Sequence, residues 1–391
     1  MQNINKIIKK KEYKLFDLPI RYTEYTPNWR YSKWLGGLLI TEKIQDDFHA
    51  KRLKKGYIGK FLLWQYGYQN NLYSIIIMGI SIFHKEAHLL FFKRYGRFVV
   101  PNTDHIYIIN SDLGELYCFL AYFVKLLLIQ DQVKHPLFWV TQFKHREMIR
   151  LFYPHAKVVY IGKLYKYFAD SHFICDKIPC TCVFSSKYYA TSVEGMLAGK
   201  TTYFRSMVHA LHLKNLNKKS LKVGLVQISD SIHQSALNKL ATCNLQDTHF
   251  VFIAPEAITC QQLPWNFWNQ VVTFCNKQGW KCFFNIVHST TLLPKGAISC
   301  PLSLTEALVF AKHARCIISL KSGLSELLLQ TGKPLHVIYT NFSSTNRLPM
   351  TAQQVYAGFK MEQLPHFHGQ SKLYSYVGTE NLFEQLTKNL I

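Results

Sequence analysis

Acidic residues are scarce in this sequence: 23 Asp and Glu stand against 46 Lys and Arg over 391 residues, a formal net charge of +23. That imbalance asks for an acidic partner, which could be nucleic acid, an anionic membrane surface or a phosphate-bearing substrate. No Asp-x-Asp occurs anywhere in the chain, so a compact carboxylate pair for a divalent cation is missing. The ten cysteines form no framework, which argues against a disulfide scaffold and for a reducing cytoplasm. Their one cluster, Cys175, Cys180 and Cys182, lacks a fourth partner at zinc-like spacing, and no metal site is expected. Long apolar runs are also absent. Leu116 to Ile129 carries Lys125 and falls short of the ~20 residues a spanning helix needs. Charged and polar residues follow Lys6 and Lys9 to Lys11, so no secretory signal is predicted and any membrane association would be peripheral. Neither a fixed-period repeat nor a low-complexity tract interrupts the chain.

What is present is apolar mass, 48% hydrophobic and 15% aromatic, enough for a folded chain with two cores. The polar, lysine-rich segment Leu213 to Lys222 reads as a linker, dividing residues 1–212 from 223–391. Residues 1 to about 70 read as an irregular basic extension. Its run Lys51 to Lys55, with Trp29, Tyr31 and Trp34, suits either a solvated face or a patch on anionic lipid head groups.

Beyond it, strand and helix patterns alternate. Leu72 to Ile82 reads as a buried strand and His105 to Asn110 as another, followed by Ser111-Asp112-Leu113-Gly114-Glu115 and a helix. Leu137 to Thr141, Gln142 to Phe152 and Lys157 to Gly162 continue as strand, helix and strand, and a helix is expected around Lys187 to Ala198. In the second half Phe250 to Ala254, Pro264 to Gln278 and Lys281 to Ile286 repeat the pattern. Ser303 and Glu306 form a capping box before a helix to Ala314. Asn341 to Ser375 reads as irregular, and Thr379 to Leu390 as a last helix that could cross back to the first domain. Such alternation implies parallel sheets covered on both faces.

The densest stretch is Arg315 to Tyr339, which reads as strand, turn, helix and strand. At its turn Lys321, Ser322 and Gly323 bring an ammonium, a hydroxyl and free backbone N–H groups to one helix start, a natural place for a phosphate. An ordinary βαβ unit with a glycine turn would look the same.

From Phe250 to Tyr339 the chain resembles the nucleotide-sugar-binding half of GT-B glycosyltransferases of the heptosyltransferase type, family 9. The resemblance rests on Ile253-Ala254-Pro255-Glu256-Ala257, Leu263-Pro264, Lys321-Ser322-Gly323-Leu324-Ser325-Glu326 and Gly332-Lys333-Pro334. It implies two Rossmann-like α/β domains facing across a cleft. It also implies a nucleotide-sugar donor, a saccharide or lipid-linked acceptor in surface polysaccharide (lipopolysaccharide or capsule) synthesis, no cofactor, and inversion at the anomeric carbon. Glu115 falls where the family places an acidic general base after Leu-Gly. Asp112 and Glu115 would equally suit a helix N-terminus as plain charges.

The chain departs from the family in having Gln261 and Gln262 where a basic residue is usual, and Lys321 where Asp precedes Ser-Gly. On this reading Lys321, Ser322 and Gly323 take the diphosphate, Glu256 and Glu326 recognise hydroxyls, and the enzyme works without metal at the cytoplasmic face of the inner membrane, with no nucleic acid. The alternative is a non-catalytic basic protein that binds nucleic acid or an acidic polymer.

Overall fold

The computed structural model describes residues 9–390 except 16–17, 26–28, 35–37, 48–50, 59–60, 70–71, 79, 87–91, 93–95, 163–171, 176, 185–194, 197–198, 214–215, 217–220, 247–248, 287–292, 343–349, 366, 368–369 and 377; before residue 87 it describes chiefly the backbone. Most of the helix expected around Lys187 to Ala198, and the core of the expected linker, lie outside the described residues.

The N-terminal region is a regular sheet, where sequence had suggested irregular chain. Eight strands, β1 (Lys9–Leu15), β2 (Leu18–Tyr25), β3 (Trp29–Trp34), β4 (Leu38–Asp47), β5 (Lys51–Ile58), β6 (Phe61–Gln69), β7 (Leu72–Ile77) and β8 (Ile80–Glu86), pair in sequence order as an antiparallel meander. Charged residues interleaved with aromatic and β-branched ones, as in Arg21-Tyr22-Thr23-Glu24-Tyr25, mask the period-two pattern that marks strands. The run Leu72 to Ile82 is a hairpin and not one buried strand. Met78, at φ 48°, turns the chain, and Ile77, Met78, Ile80 and Ile82 are 44%, 72%, 69% and 60% exposed.

The first α/β unit has strands β9 (His105–Ile109), β10 (Pro136–Val140), β11 (Lys157–Tyr160), β12 (His172–Cys175) and β13 (Ile178–Val183), in the order β11-β10-β9-β13-β12. All are parallel except β12, which folds back on β13 as a hairpin. Its principal helix, α1 (Leu113–Gln130), is apolar enough to cross a membrane by length and composition, yet 67% of it is buried inside the fold. A π-turn at Phe119–Phe123 widens it, and there the Ala121 carbonyl accepts the N–H of Gly224 at 2.7 Å. Helices α2 (Phe143–Phe152) and α3 (Tyr203–Ala210) also belong to this unit.

The second unit has six parallel strands, β14 (Phe250–Ala254), β15 (Lys281–Phe284), β16 (Ala297–Ile298), β17 (Cys316–Leu320), β18 (Leu335–Tyr339) and β19 (Lys372–Ser375), in the order β16-β15-β14-β17-β18-β19. Numbered from its own first strand this is 3-2-1-4-5-6, the doubly wound dinucleotide-binding order. Its helices are α4 (Asp230–Thr242), α5 (Trp265–Lys277), α6 (Leu304–His313), α7 (Gly323–Leu327), α8 (Ala352–Gly358) and α9 (Thr379–Leu390). The stretch expected to be irregular thus holds α8 and the edge strand β19. The last helix stays with its own unit, where Phe383 meets Phe274 of α5 edge-on at 6.4 Å.

The inner strands β9, β14, β17 and β18 are short and buried along their whole length, as expected of a parallel sheet covered on both faces. One hydrophobic cluster runs from Tyr107 and Phe138 in the first unit to Phe252 and Ile317 in the second. Polar ties pin the seam. Gln330 Nε2 donates to Tyr117 Oη and to the Gly224 carbonyl, both at 3.2 Å, and the Gln227 N–H donates to the Leu151 carbonyl at 2.6 Å.

Candidate functional site

In open α/β sheets ligands sit beyond the carboxyl ends of the strands, where neighbouring connections leave in opposite directions. That point lies between β9 and β13 in the first sheet and between β14 and β17 in the second. The turn from Ser111 to Glu115 follows β9, Pro255 and Glu256 follow β14, and Lys321, Ser322 and Gly323 follow β17.

The first and last of these turns touch. A Cβ added to Gly323 would fall 2.5 Å from Leu113 Cβ and 2.6 Å from the Gly114 nitrogen, and one added to Gly114 would strike the Glu326 carboxylate. Gly323 is therefore required by the close approach of two backbones, and Gly114 by the buried Glu326 side chain packed against it, a use open to the one residue without a Cβ.

The charges at this contact are arranged differently from the sequence expectation. Lys321 Nζ lies 2.6 Å from Glu326 Oε1, with the two side chains 11% and 0% exposed. The ammonium points inward to Glu326, and Tyr203 lies beside it with its ring centroid at 5.8 Å. Burial would lower the Lys321 pKa, but attraction to Glu326, and then to Glu115, outweighs it and holds the pKa above the usual lysine value. Glu326 sits wholly inside the fold, and its Oε2 has no hydrogen-bond partner. Ser322 is the N-cap of α7: its hydroxyl accepts the Ser325 N–H at 3.4 Å, and its own N–H donates to Ser325 Oγ at 3.0 Å. The Gly323 and Leu324 N–H groups lie in the first turn, where no carbonyl of the helix can serve them.

Glu115 is half-buried in the first turn of α1, and Asp112 at the N-cap is exposed without capping the helix through its side chain. Glu256 is half-buried just past β14. The structure thus brings Glu115, Lys321, Gly323 and Glu326 to one contact and places Glu256 on the adjoining strand end.

Sequence reasoning did not single out what backs the first turn. Ser111 Oγ and both ring nitrogens of fully buried His145 are without hydrogen-bond partners, and burial pushes the His145 pKa down to about 4. The one available signal was a histidine in the first turn of an otherwise amphipathic helix, which is too common to stand out. Among the described residues no group of three or more His, Cys, Asp and Glu is placed to hold a metal ion. A hollow of about 310 Å³ lined by Asp104, His105, Asp131 and His172 lies at the opposite, amino end of the first sheet, away from these turns.

No protein-family model matches the chain, and no curated protein matches it. Among solved structures it is similar to a glycosyl transferase family 9 protein from Veillonella parvula, at 10% identity and a TM-score of 0.48 over 74% of this chain and 93% of that one. It is similar to the ADP-heptose LPS heptosyltransferase II of E. coli, at 12% identity and a TM-score of 0.45 over 73% and 98%. A third likeness is to the iron-containing dodecameric glycosyltransferase TibC of enterotoxigenic E. coli, at 16% identity and a TM-score of 0.39 over 78% and 80%.

Proposed function

We propose that this protein is a glycosyltransferase that moves a sugar from a nucleotide-sugar donor to a saccharide or lipid-linked acceptor of a surface polysaccharide, with inversion and without a divalent metal. The observation that carries this reading is the meeting of two strand-end turns, Gly114 against Gly323, each at the switch point of its own Rossmann-like sheet. Transfer needs a base at the incoming hydroxyl and a donor-rich cradle for the departing diphosphate, and two such turns supply one each.

In this mechanism Glu115 takes the proton from the acceptor hydroxyl as it attacks the anomeric carbon. The Gly323 and Leu324 N–H groups meet the diphosphate, and Glu256 takes a donor hydroxyl. Lys321 and Glu326 fix the shape of the donor turn from beneath, because their charges are committed to each other. The missing Asp-x-Asp is the ground for metal independence.

A thermal-shift screen against UDP, ADP, GDP and CMP and their sugars tests the reading, since a ligand that binds only the native state raises the midpoint. One nucleotide sugar should stabilise the chain and be consumed when acceptor is present. A chain indifferent to all of them is not a glycosyltransferase.

A peripheral place on an anionic membrane at the cytoplasmic face belongs to the same proposal. The net charge of +23 and the exposed Ile77, Met78, Ile80 and Ile82 at the β7–β8 hairpin favour it. Binding to anionic vesicles should fade as salt rises, and Met78→Ser with Ile80→Ser should weaken it. Equal binding to neutral vesicles would count against it.

A further inference from the structure

The seam beside α2 holds a groove that nothing above uses. It encloses about 660 Å³, lined by Phe143, Arg146, Arg150, Ser229, Ile232 and Thr305 among others, within the range of roughly 300–1,000 Å³ usual for small-ligand sites.

Arg146 and Arg150 are exposed and four residues apart, so they stand one turn above the other on the same face of α2. Glu147 between them is turned to the far wall, where its Oε1 accepts the Thr305 N–H at 3.1 Å and the Thr305 hydroxyl at 3.2 Å. Among the described residues neither guanidinium has an acidic partner. Phe143, 68% exposed, stacks on Tyr160, 44% exposed, with ring centroids 4.1 Å apart and planes 17° from parallel. Two exposed, stacked rings present a flat apolar face suited to a flat apolar partner.

We propose that this groove binds a phosphate-bearing sugar unit of the acceptor: the C–H face of the sugar ring lies on Phe143, which Tyr160 backs from behind, and its phosphate is forked by Arg146 and Arg150. Guanidinium pairs suit phosphate geometry, and an aromatic face suits the apolar side of a pyranose. The position agrees, because Phe143 follows β10 and Glu115 follows the neighbouring strand β9, both at the carboxyl edge of one sheet. The role as acceptor subsite rests on the glycosyl-transfer reading; the existence of the site does not.

Saturation-transfer NMR on the full chain, with glucose 6-phosphate and glucose as probes, inorganic phosphate as a competitor against glucose 6-phosphate and no donor present, tests it. Glucose 6-phosphate should bind at least about tenfold more tightly than either fragment. Arg146→Gln with Arg150→Gln should weaken it by about tenfold or more, and Phe143→Ala should abolish saturation of the ring protons. These side chains are exposed, and unchanged thermal midpoints would confirm that the variants fold. Equal binding by the double arginine variant, equal binding of inorganic phosphate, or no binding of glucose 6-phosphate overturns the proposal. With no donor in the tube, failure here leaves the transfer reading standing. Intact binding without donor turnover would sink only the transfer reading.

Discussion

The Glu326 carboxylate fills the space that a side chain on Gly114 would need, so a residue of the second α/β unit fixes the identity of a residue in the first. Gly114→Ala must displace that carboxylate from a buried site or push the two turns apart. Overpacking of this kind costs about 1–3 kcal/mol. We expect a lower urea midpoint and faster proteolysis at the seam. Gly358→Ala, whose new Cβ would lie 3.7 Å from its nearest neighbour, Met196 Cβ, should change stability by less than about 1 kcal/mol. Equal effects of the two substitutions would show that the contact is not tight.

The sequence places Lys321 in a turn as a phosphate ligand, and in the structure its side chain is buried against Glu326 instead. Lys321→Ala leaves the Glu326 carboxylate buried and unpaired, a change that costs about 3–5 kcal/mol. Lys321→Met combined with Glu326→Gln removes both charges and should be less destabilising than Lys321→Ala alone, a non-additivity typical of contacting pairs. Since the folded-state pKa of Lys321 is raised, this stabilisation is complete at neutral pH and is lost only as pH rises through the folded pKa, above the ordinary lysine value. Denaturant titration of the three proteins at pH 7 decides it. A single variant within about 1 kcal/mol of wild type would show that the pair is not buried in solution.

The sheets were legible because β9, β10, β14, β17 and β18 are short apolar runs ended by turn residues, and the capping box of α6 was legible because Ser303 and Glu306 stand three apart. In the structure Glu306 N donates to Ser303 Oγ at 3.2 Å, and Ser303 N donates to Glu306 Oε2 at 2.8 Å. That Glu306 also pairs with Lys239 at 2.9 Å was not legible, since 67 residues separate them and α4, which carries Lys239, has too polar a pattern to announce itself. The site divides in the same way. The turn sequences marked Gly114 and Gly323, but the direction of Lys321 depends on a carboxylate five residues away on a helix only five residues long. Local propensity says nothing of which side chain turns inward.

Acid should destabilise the fold through its buried histidines. Burial pushes the pKa values of His105, His145 and His336 down to about 4 from an ordinary 6.5. The unfolded chain therefore binds more protons than the folded one between these values, so stability falls as pH drops from about 6.5 to 4 and levels below that. Each group contributes up to about 3 kcal/mol. His145→Leu removes one of them without leaving a hydrogen-bond partner stranded. Its urea midpoint should fall less steeply than that of wild type over this window. Parallel curves would show that His145 titrates normally in the fold.

Glu115 and Asp112 stand three residues apart on the same turn, and their surroundings separate them. Asp112 is exposed at the N-cap, whereas Glu115 is half-buried within the field of Lys321 at the contact of the two units. A base must be held close to the acceptor hydroxyl, and a side chain fixed at the contact of the two units meets that need better than an exposed one. A general base contributes about 10²–10⁴-fold, so Glu115→Gln should lower kcat by that factor while the Kd for donor, set by the other unit, moves by less than about threefold. Asp112→Asn should leave kcat within about threefold of wild type. Should Asp112→Asn abolish transfer while Glu115→Gln leaves it near normal, the base is Asp112. The contact between Gly114 and Gly323 would then serve the seam of the fold and not the reaction.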